Sequence, residues 1–405
     1  MGMPSSDSDP PEFARVDWDE ASSGRRRPSA RTPGFAVALL AVAGLFAYDL
    51  VVAPEETIPV LDWDVNRSGW LVIVALVVLA RYVIVPLAAD RDRTARHVEA
   101  FLDRPAGVLA LGYLVLFGLL GVFGPELFEF TYAKLDARLQ PPVFAGVDAS
   151  ASDGYSCVGP VVDGVCRGTW QYPLGTNYIG ENVVEGLIGG MHVAVKVGVA
   201  TAVVMAAVAT TVGTVAGYYG GRVDDLLMRY VDVQQTIPAI VVYIVIATLF
   251  LGDVEGVSDG GTLAFVLVFG LLDWGGIARL VRGEAIQRRS AGYVRAAKAA
   301  GASDLRVIRR HVVPNSTATI VTALTRRVPL LVLAQVGLAY LALNSTRPAS
   351  FGELLGVSLA GRHMPWYAQW WTSLPAVALL VGLVVACNVF GDTVRDVLDP
   401  REEVR

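Results

Sequence analysis

Tyr293-Val-Arg-Ala-Ala-Lys-Ala-Ala-Gly-Ala-Ser-Asp-Leu-Arg-Val-Ile-Arg-Arg-His-Val-Val-Pro-Asn315 is an arginine-rich stretch that lies between two long apolar runs. Residues 293–300 are rich in alanine and predict a helix, which Gly301 ends because glycine accepts a left-handed backbone that other residues resist. A second helix is expected to follow, with Ser303 as its N-cap and Pro314 as its end. The stretch therefore predicts a helix, a sharp glycine turn and a second helix.

The residues alone leave two interpretations of this stretch open. Set between membrane spans, the unit would offer its apolar side chains to a groove on a partner protein. Those side chains are Val294, Ala297, Leu305 and Ile308. Arginine-rich loops are also the ordinary marker of the cytoplasmic side of a membrane protein, and charge alone favours this simpler interpretation.

The composition indicates an all-α, multi-spanning membrane protein. Of 405 residues, 54% are hydrophobic and only 18% are charged, and the apolar residues come in blocks that approach the roughly 20 residues needed by a membrane helix. Residues 1–33 are too polar to bury a core, so we expect a disordered tail rather than a secretory signal. About eight spans are predicted, over residues 34–53, 69–89, 106–124, 190–217, 234–252, 262–281, 316–342 and 372–391.

The distribution of arginine predicts the orientation. Arginines cluster in the tail, in the second-to-third and fourth-to-fifth connections, in the quoted stretch and at the C-terminus, which places both termini in the cytoplasm. The opposite connections are acidic, and residues 125–189 are expected to form a small external cap. Trp366, Trp370 and Trp371 suit the outer membrane interface before the last span.

Polar residues inside the predicted spans are expected to face a cavity, a partner subunit or the membrane interface. They are Lys196, Gln234, Gln235, Arg326, Arg327 and Gln335. For Arg326 and Arg327, a role in a transport pathway or subunit contact and a misplaced span boundary are equally open.

Cysteine is sparse, and two of the three cysteines lie close together in the predicted cap. If the cap is external, Cys157 and Cys166 could form a small disulfide, and two free thiols are the equally open alternative. Cys387 lies inside an apolar run. The cysteines do not form a metal-ligand pattern.

Several kinds of chemistry lack their motifs. The sequence contains no G-x-x-x-x-G-K-[ST], no H-E-x-x-H and no G-x-S-x-G, and its four histidines are scattered. We therefore expect no catalytic residue, no metal site and no cofactor bound by this chain. Membrane topology explains the uneven charge, so nucleic acid is not an expected partner.

Four stretches, in compatible order over residues 172–401, resemble the permease subunits of ATP-binding-cassette importers. The resemblance is to the C-type subunit of dipeptide and oligopeptide permeases, and four motifs together are far more specific than one. They are Tyr172-Pro-Leu-Gly-Thr-Asn177 with Gly180 and Val183; Ala216-Gly-Tyr-Tyr-Gly-Gly-Arg-Val-Asp224 with Met228, Arg229 and Asp232; the quoted stretch, which is similar to the importer motif E-A-A-x-x-x-G; and Asn388-Val-Phe-Gly-Asp-Thr-Val-Arg-Asp-Val-Leu-Asp-Pro-Arg401.

The resemblance implies a type I importer permease core of six helices, the third to eighth spans, within a domain of residues 90–405. Residues 34–89 would then be two extra N-terminal helices. The implied partners are a second homologous permease subunit, two cytoplasmic P-loop ATPases that bind ATP and Mg²⁺, and an extracellular substrate-binding protein, in a chain surrounded by membrane lipid. The implied setting is the plasma membrane of a bacterium or archaeon.

By the same resemblance, the coupling loop of residues 282–314 would dock on an ATPase. The positions concerned are Tyr293, Arg295, Ala296, Ala297, Gly301, Ala302, Asp304, His311 and Pro314. Arg295 stands where the family motif has glutamate, so the charge of this contact is reversed. In the external motif, the family's His, Asp, Arg and Asp are replaced, which leaves its polar network open. The replacing residues are Tyr172, Asn177, Glu181 and Asn182.

Together, these expectations predict that the chain is a subunit of an importer for peptides or similarly sized solutes. Nickel or oligosaccharides are the alternative cargo, since related permeases carry them. The alternative from another class is a stand-alone secondary transporter, which would predict inverted repeats with broken helices. No such repeat is visible in the sequence.

Overall fold

The fold is a bundle of membrane-length helices with a small cap at one end. The computed structural model describes residues 31–52, 67–85, 88, 91–128, 130, 134–149, 156–250, 261–346, 349–360 and 366–398. The tail predicted for residues 1–33 lies almost wholly outside these ranges, as do the acidic segments 53–66 and 251–260. The expectations for those segments stay predictions.

The helices follow one another along the chain, several of them joined by short turns. They are α1 (Arg31–Val51), α2 (Arg67–Leu79), α3 (Arg91–Leu102), α4 (Pro105–Leu127), α5 (Val183–Tyr219), α6 (Gly221–Gln235), α7 (Ala239–Phe250), α8 (Thr262–Leu272), α9 (Gly275–Arg289), α10 (Gly292–Ala299), α11 (Asp304–Val307), α12 (Val313–Asn315), α13 (Thr317–Tyr340), α14 (Phe351–Ala360) and α15 (Leu374–Leu398).

Within the described residues, six helical segments are long and apolar enough to cross a membrane. They are α1, α4, α5, the α8–α9 pair, α13 and α15. The bent pair α6–α7 adds a seventh, and the shorter apolar helix α2 stands at the position of the predicted second span. The prediction of an all-α, multi-spanning protein is confirmed, and eight segments lie where about eight spans were predicted.

The fifth span, predicted for residues 234–252, begins later in the structure. α6 carries charged residues along its length and meets the apolar α7 at a bend of 58°. Pro238 lies at the break, and proline lacks the N–H group that would continue the helical hydrogen bonds. The apolar segment therefore starts at Ala239 rather than at residue 234.

α5 is the central helix of the bundle, and it packs against α4, α8, α9 and α13. At Gly213 and Gly217, α9 comes so close that an added Cβ atom would collide with the carbonyl oxygens of Ala278 and Arg282. Small residues commonly permit such close approach between membrane helices. α5 and α9 therefore meet backbone to backbone at two positions that are about one turn apart.

Several helices terminate together at one end of the bundle, which we call the arginine-rich end. Arg104, immediately before α4, pairs with Asp396 of α15 at 2.6 Å. Thr319, in the first turn of α13, donates a hydrogen bond of 3.0 Å to Glu284 near the end of α9. Since α13 and α15 pack side by side, the starts of α4 and α13 and the ends of α9 and α15 lie at the same end.

The two arginines of α13 both have partners in this chain. Arg326 pairs with Asp392 of α15 at 2.6 Å, and Arg327 pairs with Asp273 at the end of α8. A paired charge costs less in a membrane helix than a lone one. Ion pairs within the chain therefore explain how these arginines are accommodated in the helix. This explanation stands in addition to the two alternatives that the sequence left open.

The cap, residues 134–149 and 156–182, lies at the opposite end and adds a small antiparallel sheet to the otherwise helical fold. Its strands are β1 (Gly146–Asp148), β2 (Val161–Val162) and β3 (Val165–Arg167), in the order β1–β3–β2. Cys157 and Cys166 form a disulfide with their Cα atoms 5.8 Å apart. Of the two states left open for these cysteines, the structure has the bonded one.

Trp371 joins the cap to the bundle. Its side chain is 2% exposed, and its Nε1 donates a hydrogen bond of 3.1 Å to the carbonyl oxygen of Thr176. The prediction of an interfacial Trp371 is therefore wrong, because burial and this hydrogen bond make it a packing residue. Trp370 is partly buried, and the side chain of Trp366 lies outside the described residues.

The substituted residues of the external motif form a polar network of their own. The Asn177 Oδ1 accepts hydrogen bonds from the N–H groups of Ile179 and Glu181 at 3.1 and 2.9 Å, and its Nδ2 donates to the Glu181 carboxylate at 2.8 Å. Asn182 caps α5 by accepting from the N–H of Val184 at 3.0 Å. Asparagine is a good N-cap and turn residue, so the network left open by the sequence is present and is built from amides.

The two N-terminal helices pack at the side of the bundle. α2 contacts α5 and α8 and buries Trp70 and Ala75. α1 packs on α2, where Asp49 accepts a hydrogen bond of 2.9 Å from the Trp70 Nε1. Their interpretation as additions to a six-helix core stays a prediction.

Candidate functional site

At the arginine-rich end, residues 292–315 form a helix–turn–helix segment. After α10, Gly301 adopts a left-handed backbone with a φ of +78°. The N–H of Gly301 donates to the Lys298 carbonyl at 2.9 Å, and the N–H of Ala302 donates to the Ala297 carbonyl at 3.0 Å. This pair of bonds is the Schellman motif, which satisfies the last carbonyl groups of a helix and favours glycine at the turn. The predicted helix end at Gly301 is confirmed.

The second helix ends where it was predicted to end, to within one residue. Ser303 has the extended backbone of an N-cap residue, but its hydroxyl makes no capping hydrogen bond. α11 continues through a π-helical segment, Ile308–Val312, into α12, and this continuous helix ends at Asn315, the residue after Pro314. The chain turns at Ser316 and continues as α13.

An apolar cluster fastens this segment to the bundle. Val294, Val307 and Val312 are each 0% exposed. They pack together with Tyr218 at the end of α5 and Ala285 on α9. The helix–turn–helix segment is therefore seated on the ends of the same two helices that meet backbone to backbone in the bundle.

This cluster corrects the predicted apolar contacts to a partner. Val294 was expected to face a groove on another protein, and this is wrong because its side chain belongs to the chain's own core. Ala297 and Ile308 are partly buried against the same cluster. Leu305, which is 56% exposed, is the one of the four that remains open for a contact.

A polar clamp adds to the cluster. The Tyr218 hydroxyl donates a hydrogen bond of 2.6 Å to the Asp304 carboxylate. The Lys298 Nζ lies 3.4 Å from the same carboxylate and 4.8 Å from the centre of the Tyr218 ring. The hydrogen bond from Tyr218, assisted by Lys298, holds the pKa of the Asp304 carboxyl below its ordinary value. We call these three residues the tyrosine clamp.

Neighbouring helices are tied into the same arrangement. Arg282 of α9 binds Asp224 of α6 through two hydrogen bonds of 2.5 and 2.6 Å. Arg289, the last residue of α9, donates a hydrogen bond of 3.4 Å to the carbonyl of Tyr218. Bidentate arginine–carboxylate pairs fix orientation as well as distance, so α5, α6 and α9 hold one geometry beneath the segment.

Tyr218 and Asp224 belong to the second of the four motifs, but the sequence alone did not assign them to this site. The missed signal was positional. The motif of residues 216–224 and the stretch of residues 293–315 were both predicted to lie on the same side of the membrane, where they can meet.

The outward face of the segment carries exposed positive charge. Four arginines are exposed and make no ion pair with any described residue. They are Arg295, Arg306, Arg309 and Arg310. Tyr293 and Leu305, at 43% and 56% exposed, are the large apolar side chains of the segment that are open to contact.

The other predicted site residues lie in the same segment. Ala296 and Pro314 are exposed, and Ala302 is partly buried. His311 is also partly buried, and its ring centre lies 5.9 Å from that of Tyr293, so the two helices of the segment touch there. The structure brings all nine predicted positions into one element, and their role in docking stays a prediction.

The chemistry offered by this site is recognition. In the part of the chain that the structure describes, no group of three His, Cys, Asp or Glu side chains is placed to hold a metal ion. Arginine keeps its charge at all relevant pH values and binds carboxylates and phosphates through a planar fork. The geometry therefore supports binding of another molecule by this face.

Fold and site together define a multi-spanning membrane protein with a rigid helix–turn–helix at one end. Residues 209–404 match the family described as the binding-protein-dependent transport system inner membrane component, and this range includes the whole segment. This match and the named relatives confirm the resemblance, drawn from the four motifs, to permease subunits of ATP-binding-cassette importers.

Named relatives agree with the family. The chain is 32% identical over 189 residues to the dipeptide transport system permease protein DppC of Bacillus subtilis, which covers 45% of this chain and 54% of the relative. A Brucella suis protein named as a peptide transport system permease is 36% identical over 184 residues, or 45% of this chain and 58% of the relative. In both cases the chain spans little more than half the length of the relative.

A longer match is found with the oligopeptide transport system permease protein OppC of Mycobacterium bovis. It is 29% identical over 312 residues, which cover 76% of this chain and 95% of the relative. About a quarter of this chain lies outside this match.

Proposed function

We propose that this chain is the transmembrane permease subunit of an ATP-driven importer of dipeptides or oligopeptides. The observation that carries the proposal is the helix–turn–helix segment, which is packed on the ends of α5 and α9 and turns a charged face outward. Support comes from the family match, which includes this segment, and from relatives named as dipeptide and oligopeptide permeases.

In this proposal the chain supplies moving walls, and the free energy comes from its partners. Two P-loop ATPases bind ATP and Mg²⁺, and their closure displaces the helix–turn–helix segment. Because the apolar cluster and the tyrosine clamp hold the segment on α5 and α9, the displacement passes to these helices as a rigid-body motion. A second permease subunit completes the pathway. No residue of this chain has a catalytic role.

The proposed orientation places the arginine-rich end and both termini in the cytoplasm. The cap then lies outside the cell, where a disulfide between Cys157 and Cys166 persists and where a substrate-binding protein delivers the peptide. The membrane is the plasma membrane of a bacterium or archaeon.

Uptake of labelled dipeptides and oligopeptides by cells with and without the gene tests the proposal. Uptake should be lost on deletion and restored by the wild-type gene. Normal peptide uptake in the deletion strain, with loss of nickel or oligosaccharide uptake, would overturn the cargo. Uptake that continues after the partner ATPases are removed would overturn the importer class and favour a secondary transporter.

A further inference from the structure

We propose that the ATPase surface that receives the helix–turn–helix segment is acidic, with carboxylates that pair with its exposed arginines, Arg295, Arg306, Arg309 and Arg310. This inference rests on the proposed function and specifies the chemistry of its partner. Some charges of the segment are already paired within this chain and others are not. This difference indicates the charge of the partner surface.

The segment carries much more positive than negative charge. Residues 292–315 contain four arginines and one lysine but only one acidic side chain, Asp304. The Asp304 carboxylate is occupied, because it accepts the hydrogen bond from Tyr218 and lies 3.4 Å from Lys298. The one acid of the segment is therefore already paired within this chain, whereas the exposed arginines make no ion pair with any residue that the structure describes.

The backbone of the segment is rigid. The Schellman turn at Gly301 and the buried valines fix the backbone that carries the arginines. A preorganised surface loses less entropy on binding than a flexible one. Arginine forks on such a surface are suited to bidentate recognition of carboxylates, which makes a partner of opposite charge the complementary one.

The segment exposes apolar side chains as well as charged ones. Tyr293 and Leu305 are exposed in the same segment. Helices that dock in a groove commonly anchor through a few apolar side chains while charges at the rim set specificity and association rate. The complementary surface is therefore a groove with an apolar floor and an acidic rim.

Anionic lipid headgroups also attract arginine, but the length of α5 favours a protein partner. α5 has 37 residues, so it is about 55 Å long at the rise of an α-helix. A bilayer with its headgroups is about 40–45 Å thick. Tyr218 lies in the last turn of α5, so the segment is seated on the end of a helix that is long enough to project beyond the headgroups.

The test measures binding of the cognate ATPase subunits to the full-length permease complex in lipid nanodiscs. Arg295→Glu and Arg306→Glu should each weaken binding by about tenfold or more, because like charges would then face each other. Arg295→Gln should give a smaller loss, and raising the salt concentration should weaken binding of the wild type. Arg91→Glu is the matched control, since Arg91 is exposed on α3 outside the segment, and it should bind like the wild type.

A charge swap sharpens the test. Replacing the facing carboxylate of the ATPase by arginine should restore binding to the Arg295→Glu variant and weaken binding to the wild type. All substituted side chains are exposed, so the variants are expected to elute as the wild-type complex does.

The outcomes separate this inference from the proposed function. If the wild-type complex binds its ATPases and transports peptide, but the reversed variants bind equally well, the acidic surface is overturned and the proposed function stands. If the wild type binds no ATPase, both fail. If the reversals weaken association with vesicles that contain phosphatidylglycerol while ATPase binding is unchanged, the face binds lipid and the inference is overturned.

Discussion

The two ends of the bundle are held together by different means. In the cap, polar side chains bond inward: Asn177 and Asn182 close turns and cap α5, a disulfide closes the loop, and Trp371 is buried beneath. At the arginine-rich end, apolar residues are buried, the tyrosine clamp ties the segment to α5, and four exposed arginines make no ion pair with the described residues.

This difference indicates which end is built to bind a charged partner. A surface whose polar groups are already satisfied gains little from a new polar contact, whereas uncompensated charges on a fixed backbone are available for one. The side chains named in the cap are bonded within it, whereas the helix–turn–helix segment has the properties of an interface for a charged partner. Variants at the two ends should therefore behave differently.

Trp371→Ala should detach the cap from the bundle and lower the free energy of unfolding by about 3–5 kcal/mol, as expected for a buried aromatic side chain. Denaturant unfolding in nanodiscs measures the loss. The matched control is Trp170→Ala, because Trp170 is 80% exposed and its removal should have little effect. Equal losses in the two variants would contradict the role given to Trp371.

Gly301→Val should disrupt the helix–turn–helix segment while leaving the cap unchanged. A residue with a Cβ atom resists the left-handed backbone by about 1–2 kcal/mol, and a branched one resists it more. Hydrogen exchange should increase in residues 292–312, and copurification of the ATPases should fall. Gly292→Ala is the control in the same segment, since Gly292 is surrounded by open space; similar behaviour of both variants would refute the interpretation of the turn.

Tyr218→Phe should loosen the tyrosine clamp without emptying the apolar cluster, because the ring stays and the hydroxyl is lost. We expect hydrogen exchange in residues 303–312 to rise by roughly fivefold, the scale of one hydrogen bond. Tyr219→Phe, at a neighbouring position that is 53% exposed, should leave this exchange unaltered. Unchanged exchange in Tyr218→Phe would show that the clamp adds nothing to the cluster.

Lowering the pH should release the same clamp by a smaller amount. The pKa of Asp304 is held below its ordinary value of 3.8, so its contribution is present above about that pH and is lost as the pH falls through the lower folded-state pKa. A spin label at Ser303→Cys should stay equally immobile from neutral pH down to that range and become more mobile below it. Asp304→Asn should remove this step, and a step that persists in that variant would assign it to another group.

Sequence reasoning recovered most of the fold because apolar length and arginine placement carry the membrane signal directly. It placed eight segments in order and the turn at Gly301, where glycine alone suits the backbone. It failed at the fifth span, because α6 bends into α7 at Pro238 and the apolar segment starts later than predicted. Trp371 was misplaced because indole suits both a membrane interface and a buried hydrogen-bonded site.

The sequence by itself determined the class of this protein, since hydrophobic blocks, arginine asymmetry and four spaced motifs are all local properties of the chain. It also showed that Arg295 carries a charge opposite to that expected at its position. Only the tertiary structure decided which side chains of the segment are buried or paired within the chain. Val294 is buried, and Asp304 is bound by Tyr218, a partner 86 residues away. Burial and pairing depend on contacts between distant segments, so the outward charge of the segment is a property of the fold.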